Sequence, residues 1–402
     1  MKSALALLLL VSTAHAAALP GFHIQKLGAA NGFPDSIAVD SHNTIYYTTT
    51  DGSLFRFSNG ASALVTRVNT TAIGDSGLLG MALLNDDVAA VHYTTPAVTA
   101  DVISTIDLHT GAETVLHSFP CDIDLPGRTC APEHHGGNPT VGSDGSIFFG
   151  IGDYGGRAIA ALPQWNGGKI WRVMPDGSVE QFARGFRNPF DMSWDAANQR
   201  LIVGDNGDLA DDEINIVHLG DFCGWPYTMG DQPPIEGAVP PAYVFPVVVA
   251  PTGLVAVNGH NGYFPSGYLM SAFVAQALYY VPTVDANPFP DPIQIITAPT
   301  PMIDVSQGPD GTIYFVAADG VYQLIAPARG DCNGDGRVDA SDLAALAQEL
   351  LDGNPEATSN AQNGAYPGSW GCDANADGVI DSRDMTALQE IVRGRVRVVR
   401  RW

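Results

Sequence analysis

The sequence predicts an all-β protein, a six-bladed β-propeller, followed by a small C-terminal α-helical calcium-loop domain. Three observations carry this prediction. Residues 32–325 repeat one pattern six times: an alternating apolar strand ends at an Asp-Gly or Asn-Gly type turn, and a second β-rich strand follows. No long amphipathic helical pattern appears before residue 340. From residue 331 the composition changes to two copies of an acidic loop that runs into a short apolar-striped segment.

The chain opens with "MKSALALLLLVSTAHAAALP". Lys2, an apolar run over residues 4–11 and the small-x-small triplet Ala14-His15-Ala16 read as a secretory signal peptide over residues 1–16. No later apolar run reaches the roughly 18 residues that a membrane helix needs. The expected location is therefore secreted or periplasmic, with no membrane span. Five cysteines suit an oxidising compartment. Cys121 with Cys130, and Cys332 with Cys372, are the expected disulfides, leaving Cys223 free and buried.

The propeller is expected over residues 20–326. "SIAVDSHNTIYYTTTDGSLFRF" (36–57) is the clearest unit, and "GLLGMALLNDD" opens the second. "NPTVGSDGSIFFGIGD" begins the third, "NPFDMSWDAANQRLIVGDNG" the fourth and "PTGLVAVNG" the fifth. "IDVSQGPDGTIYFVAADGVYQLI" (303–325) closes the sixth. Strand-rich units of this length cannot bury a core alone, so they must pack side by side. A sandwich is the weaker choice, because it would not repeat these turns. The formal charge of -24 provides no basic groove and excludes nucleic acid as a partner. The basic tail, residues 395–402, is expected to be solvated.

A linker over residues 327–330 leads to the C-terminal module, residues 331–394. "DCNGDGRVDASD" sets oxygen-bearing side chains at loop positions 1, 3, 5, 9 and 12, namely Asp331, Asn333, Asp335, Asp339 and Asp342, with the Arg337 carbonyl between. "DANADGVIDSRD" repeats the set with Asp373, Asn375, Asp377, Asp381 and Asp384, and the Val379 carbonyl. Gly336 and Gly378 stand where such a loop turns sharply. Leu343/Leu346/Leu350 and Met385/Leu388/Val392 give each following helix one apolar stripe. Asp at position 12, and no convincing helix before either loop, separate the pair from a standard EF-hand. The module resembles a type I dockerin, which implies two Ca²⁺ sites and a cohesin-bearing scaffold protein as partner. The offset of about 42 residues between the loops is longer than usual for that family.

The propeller's chemistry centres on "EHHGGNPTVGSDGSIFFGIGD" (133–153). A histidine titrates near working pH without tuning, and a nearby acid can orient it. His134 is the expected base, with Asp153 returning to it from the end of the next strand. His135 is expected to be a turn residue, and Cys223 and Trp225-Pro226 to pack the core. Downstream, "ARGFRNPFDMSWD" and the carboxylate-rich "VGDNGDLADDEINIVHLGDFCGWP" offer a cation and a loop suited to a hard metal ion. The order H-x-G-G, I-G-D, G-K-I-x-R-x-x-P-D-G, G-x-R-N-P, D-E-I-N and G-W-P resembles the soluble quinoprotein glucose, sorbosone and aldose sugar dehydrogenases over about residues 30–326.

That resemblance implies pyrroloquinoline quinone (PQQ) and a catalytic Ca²⁺ on one face of the propeller, with an aldose sugar as substrate oxidised to its lactone. It places His134 on the family's base, Asp153 on its partner acid, and Glu133 where an acid can contact the sugar. Arg187 falls on the cation beside the reactive carbonyl, Asn188 on a cofactor contact, and Gly207 and Asp208 on the two metal-binding carbonyls. The chain also departs from the pattern. Asn138 stands where the family usually has Arg, and Val274, Pro301 and Ile303 stand where glucose-type members carry cations for the quinone's carboxylates. Asp208 itself replaces the usual Pro, Val or Gln. Two alternatives remain open here. One is a carbohydrate- or protein-binding propeller that has lost PQQ. The other is a calcium-dependent sugar lactonase, whose metal is held by acids and Asn from several blades. The candidate acids of this sequence cluster in one loop, which favours the dehydrogenase.

Overall fold

The computed structural model describes residues 21–121, 130–156, 160–208, 210–257, 264, 267–281, 284–351, 371–375 and 380–394. The expected signal peptide, Asp377, Gly378, Val379 and the basic tail lie outside these residues. The fold is a six-bladed β-propeller, each blade a four-stranded antiparallel sheet.

After β1 (His23–Gly28) come β2 (Pro34–Val39), β3 (Ile45–Thr49), β4 (Ser53–Ser58) and β5 (Ala61–Arg67), which form blade 1. Blade 2 is β6 (Leu78–Asn85), β7 (Val88–Thr94), β8 (Ala100–Asp107) and β9 (Glu113–Pro120). Blade 3 is β10 (Thr140–Val141), β11 (Ile147–Ile151), β12 (Lys169–Val173) and β13 (Val179–Arg184). Blade 4 is β14 (Pro189–Asp195), β15 (Arg200–Asp205), β16 (Glu213–Val217) and β17 (Tyr243–Val244). Blade 5 is β18 (Pro251–Val257), β19 (Gly267–Ala272), β20 (Ala277–Val281) and β21 (Ile293–Thr297). Blade 6 joins β22 (Met302–Gln307), β23 (Ile313–Ala317) and β24 (Gly320–Ile325) to β1.

The pairing of β1 with β24 closes the ring, with His23 opposite Ile325 and Lys26 opposite Tyr322. Closure removes the exposed blade edge that an open array would leave. The core lies between blades. Tyr47, Phe55 and Phe57 of blade 1 interlock with Ile303, Val316 and Val321 of blade 6, and similar clusters fill the other seams. Each such side chain contributes about 1.5–3 kcal/mol on full burial.

Five of the six innermost strands are bulged at their second residue, so that the register shifts between Pro34 and Ser36, Leu78 and Gly80, Pro189 and Asp191, Pro251 and Gly253, and Met302 and Asp304. The residues after these bulges stitch neighbouring blades at the axis. Asp304 accepts from Ile37 N at 2.8 Å, Asp191 accepts from Leu254 N at 2.6 Å, and the Ser36 hydroxyl accepts from Met81 N at 3.3 Å. Asn138 donates to Asp191 at 3.4 Å. Acids from several blades therefore do meet at the axis, where the sequence showed only one acidic loop. Asp191 and Asp304 are committed there to backbone N–H groups. Among the described residues no three His, Cys, Asp or Glu side chains converge as a metal cluster.

In the C-terminal module α1 (Ala340–Glu349) and α2 (Ser382–Val392) each start from a capping box, Asp339 with Asp342 and Asp381 with Asp384. The Cys332–Cys372 and Cys121–Cys130 disulfides form as expected, and Cys223 is free and buried.

Candidate functional site

The Gly-Gly after the histidines has a steric cause. A Cβ on Gly136 would lie 2.0 Å from the Gly150 carbonyl oxygen, and one on Gly137 would lie 2.1 Å from that of Phe190. Only glycine lets the turn press between the strands of blades 3 and 4. This close passage turns His134 toward the end of β11. There its Nδ1 lies 2.6 Å from Asp153 Oδ1.

A carboxylate accepts, so Nδ1 carries the hydrogen and Nε2 is left as the basic atom. Asp153 is 2% exposed while the His134 imidazole is 19% exposed, so the pair is anchored inside and open at the histidine. Asp153 Oδ1 also accepts from Gly155 N at 2.9 Å, and its Oδ2 accepts from the Trp225 indole at 3.0 Å. Trp225 is therefore more than core packing: it fixes the acid. The G-W-P segment was the only signal for it. Asp75, from the loop before β6, accepts from His134 N at 2.7 Å and was not foreseen at all.

His135 corrects an expectation. It is more than a turn residue: its side chain is fully buried and its Nδ1 lies 3.0 Å from Asp101 Oδ1. Burial opposes its charge, yet the Asp101 carboxylate and their hydrogen bond raise its pKa above the ordinary histidine value.

Arg187 and Asn188 enter from the loop before β14. Asp205 accepts from both their backbone N–H groups, at 3.0 and 2.7 Å, and the Arg187 guanidinium donates to the Asn206 carbonyl at 3.0 Å. Asp153 N donates to Arg187 O at 2.8 Å, so the arginine's backbone is tied to the acid of the His134 pair. Asn188 is 6% exposed and its side-chain oxygen accepts from Gly136 N at 3.0 Å, which makes it a strut under the histidine turn. Glu133 is exposed beside His134.

Gly207 and Asp208 stand in the loop between β15 and β16. Asp212 holds that loop, accepting from Gly207 N at 2.9 Å and from Val249 N and Ala250 N at 2.8 and 2.7 Å. The Asp208 carbonyl accepts from Ala210 N at 3.0 Å. Burial, followed by the charges of Asp231, Asp208 and Asp212, raises the Asp211 pKa. This crowding of oxygen and negative charge is the chemistry a hard cation relieves.

The His134–Asp153 pair, Arg187 and the oxygen-rich loop adjoin, and their chemistry fits the reactive end of PQQ. The carboxylate end is poorer. Val274 is 53% exposed in the β19–β20 turn, and Ile303 is buried in β22.

In the first acidic loop Asp331 Oδ2 accepts from Gly336 N at 3.0 Å and Asp335 Oδ1 from Arg337 N at 2.9 Å. Asn333 Oδ1 accepts from Asp335 N at 2.9 Å, and Asp342 accepts from Asn333 N and Asp339 N at 3.1 and 2.8 Å. The other oxygen of Asp331 is buried without a hydrogen-bond partner, which fits a hard-cation ligand. In the second loop Asp384 accepts from Asn375 N and Asp381 N at 2.9 and 2.8 Å, and Asp373 is buried.

Comparison with known proteins places these features. The Glucose / Sorbosone dehydrogenase family profile matches residues 33–325 and the Dockerin type I domain profile residues 329–393. The chain is 28% identical over 142 residues to quinoprotein glucose dehydrogenase B of Acinetobacter calcoaceticus, covering 28% of this chain and 29% of that protein. It is 27% identical over 221 residues to an uncharacterised protein of Synechocystis, covering 47% of this chain and 50% of that one. The chain thus aligns with half or less of the curated relatives it matches. The fold is that of the PQQ-bound aldose sugar dehydrogenase of Streptomyces coelicolor (TM-score 0.65, 20% identity, 77% of this chain and 99% of that one). It is also that of the apo soluble aldose sugar dehydrogenase of Escherichia coli (TM-score 0.66, 18% identity, 75% and 99%). With a family match over residues 33–325, most of the chain, the protein belongs to the Glucose / Sorbosone dehydrogenase family and carries a C-terminal type I dockerin domain.

Proposed function

We propose that the protein is an exported, PQQ- and calcium-dependent oxidoreductase that oxidises an aldose at its anomeric carbon to the lactone, attached through its dockerin to a cohesin-bearing scaffold. The observation that carries this reading is the 2.6 Å His134–Asp153 contact, with Arg187 tied to the same acid through its backbone. Oxidation at C1 removes the hydroxyl proton and a hydride, and this chain's part is the proton. His134 Nε2 accepts it, and the buried Asp153 carboxylate stabilises the imidazolium that results. Glu133, exposed beside the base, contacts the sugar. Arg187 supplies positive charge where negative charge develops. When bound, PQQ supplies a two-electron acceptor, held by Arg187 and Asn188, with Ca²⁺ on the Gly207 and Asp208 carbonyls as the polarising ion. In the dockerin, Asp331, Asn333, Asp335, Asp339 and Asp342 hold one Ca²⁺ with the Arg337 carbonyl. Asp373, Asn375, Asp377, Asp381 and Asp384 hold the second with that of Val379.

The test is titration of the purified apo-protein with PQQ at millimolar calcium, followed by dye reduction across a panel of aldoses. A quinone absorbance change and aldose-dependent dye reduction are expected. The shortage of free cations at Val274, Pro301 and Ile303 favours a second reading, a propeller that binds carbohydrate without the quinone. Sugar binding with no quinone absorbance change would establish that reading instead.

A further inference from the structure

We propose that Asp101, His135 and Tyr154 form a buried lock that positions the His134–Asp153 pair. The proposal rests on the reading of His134 as the base. His134-His135 and Asp153-Tyr154 are two dipeptides that run side by side. The first members bond each other at the site, at 2.6 Å. The second members turn into the core and bond one carboxylate, that of Asp101 on β8 of the neighbouring blade. His135 Nδ1 is 3.0 Å from Asp101 Oδ1, and the Tyr154 hydroxyl donates to Oδ2 at 2.5 Å.

His135 and Asp101 are fully buried and Tyr154 is 3% exposed, so none of the lock reaches the sugar. The His135 and Tyr154 rings meet edge to face, 5.0 Å between centroids. His135 Nε2 is bonded to the Ala131 carbonyl at 3.0 Å, upstream of the same turn. Downstream, His92 Nδ1 donates to the Gly137 carbonyl at 2.9 Å. The turn is therefore clamped on both sides of His134.

The backbone shows why a clamp is needed. His134 and Tyr154 both adopt positive φ, 56° and 53°, which L residues avoid. Such conformations are costly and persist where the surroundings over-determine them. One Asp101 carboxylate holds the neighbour of the first strained residue and the side chain of the second. It thereby sets the relative placement of base and acid, which is the quantity a general-base step depends on.

The test uses the full chain with ¹⁵N-labelled histidine. Tyr154→Phe removes only the hydroxyl bond, and Asp101→Asn removes the charge. The first readout is the pH titration of the His134 imidazole, whose titratable neighbours are Asp153, Asp75 and Glu133. Tyr154→Phe, with an unchanged fold by circular dichroism, is expected to shift that titration, and Asp101→Asn to shift it further. The second readout is dye reduction, where kcat is expected to fall about 10- to 100-fold with KM nearly constant. A His134 titration identical to wild type in both variants overturns the lock, whatever the turnover. Absence of turnover in the reconstituted wild type overturns the functional reading instead, and the titration then decides the lock alone.

Discussion

His134 and His135 are chain neighbours with opposite surroundings, and single substitutions separate them. His134 bonds Asp153 through its ring and Asp75 through its backbone N–H, and its ring stays partly exposed. His134→Ala is expected to lower the unfolding midpoint less than His135→Ala does, because the His134 ring is partly exposed and Asp153 keeps its bonds from Gly155 N and the Trp225 indole. It should cut turnover of the reconstituted enzyme by about two to four decades, as measured by steady-state dye reduction. His135→Ala strips Asp101 of its charged partner in the core. Breaking a buried pair from one side costs about 3–5 kcal/mol, so urea unfolding should show a large fall in midpoint. The sign of the pH dependence follows from the raised His135 pKa. Its stabilisation is complete below the unfolded value of about 6.5 and is lost as pH rises through the higher folded value. The stability gap between wild type and His135→Ala should therefore be widest at acid pH and narrow as pH increases. A gap that widens with pH would refute the Asp101–His135 ion pair.

At the scale of elements, the acidic loops and the helices they feed are one cooperative device. Asp342 and Asp384 are ligand candidates and helix caps at once, each accepting from the backbone N–H of its N-cap residue. The core they support is small, gathered around Leu346, Ala345, Leu388 and the Cys332–Cys372 link. A disulfide closing 40 residues contributes about 4 kcal/mol in the chain-entropy picture, so the module does not rest on calcium alone. Its carboxylates still repel, and burial raises the Asp331 pKa while backbone hydrogen bonds lower it. On the proposed reading, bound calcium would remove that repulsion and its binding energy would become folding energy. Hydrogen exchange on the intact chain should show α1 and α2 losing protection in excess chelator, while β3, β7, β11 and β15 keep theirs. Equal protection of the two helices with and without chelator would exclude calcium-linked folding.

At the scale of the whole molecule, the propeller carries a pH liability on its own axis. Asp35 is buried with one carboxylate oxygen lacking a hydrogen-bond partner, and burial with the charge of Asp304 pushes its pKa up to about 8. Burial raises Asp304 to about 7, against hydrogen bonds from Ile37, Val305, Ser36 and Asn138. Between about pH 4 and 8 the folded chain thus keeps protons that the unfolded chain has released, and stability falls as pH rises through that window. One such group can account for at most about 1.4 kcal/mol per pH unit. Asp35→Asn keeps the shape and removes the titration. It should flatten the decline in unfolding free energy between pH 5 and 9, and raise stability at the alkaline end. An unchanged slope would mean that Asp35 ionises freely in the folded state.

Alternating strands and Asp-Gly turns were enough to predict six blades, because a half-buried strand writes its period into adjacent residues. The two acidic loops were legible for the same local reason: twelve successive positions carry the ligand pattern. His134 and Asp153 were legible through motif order across a short separation. β1 was not, since an outer strand with no fully buried side chain leaves little apolar signal. Asp101, Asp75 and the Trp225 contact were also beyond reach, as was the axial role of Asp35, Asp191 and Asp304. Each meets its partners across tens to hundreds of residues of chain. The sequence by itself determined the repeats, the acidic-loop pattern and the pairing of His134 with Asp153. Tertiary structure alone decided which side chains hold that pair, because those contacts join separate blades and leave no spacing to read.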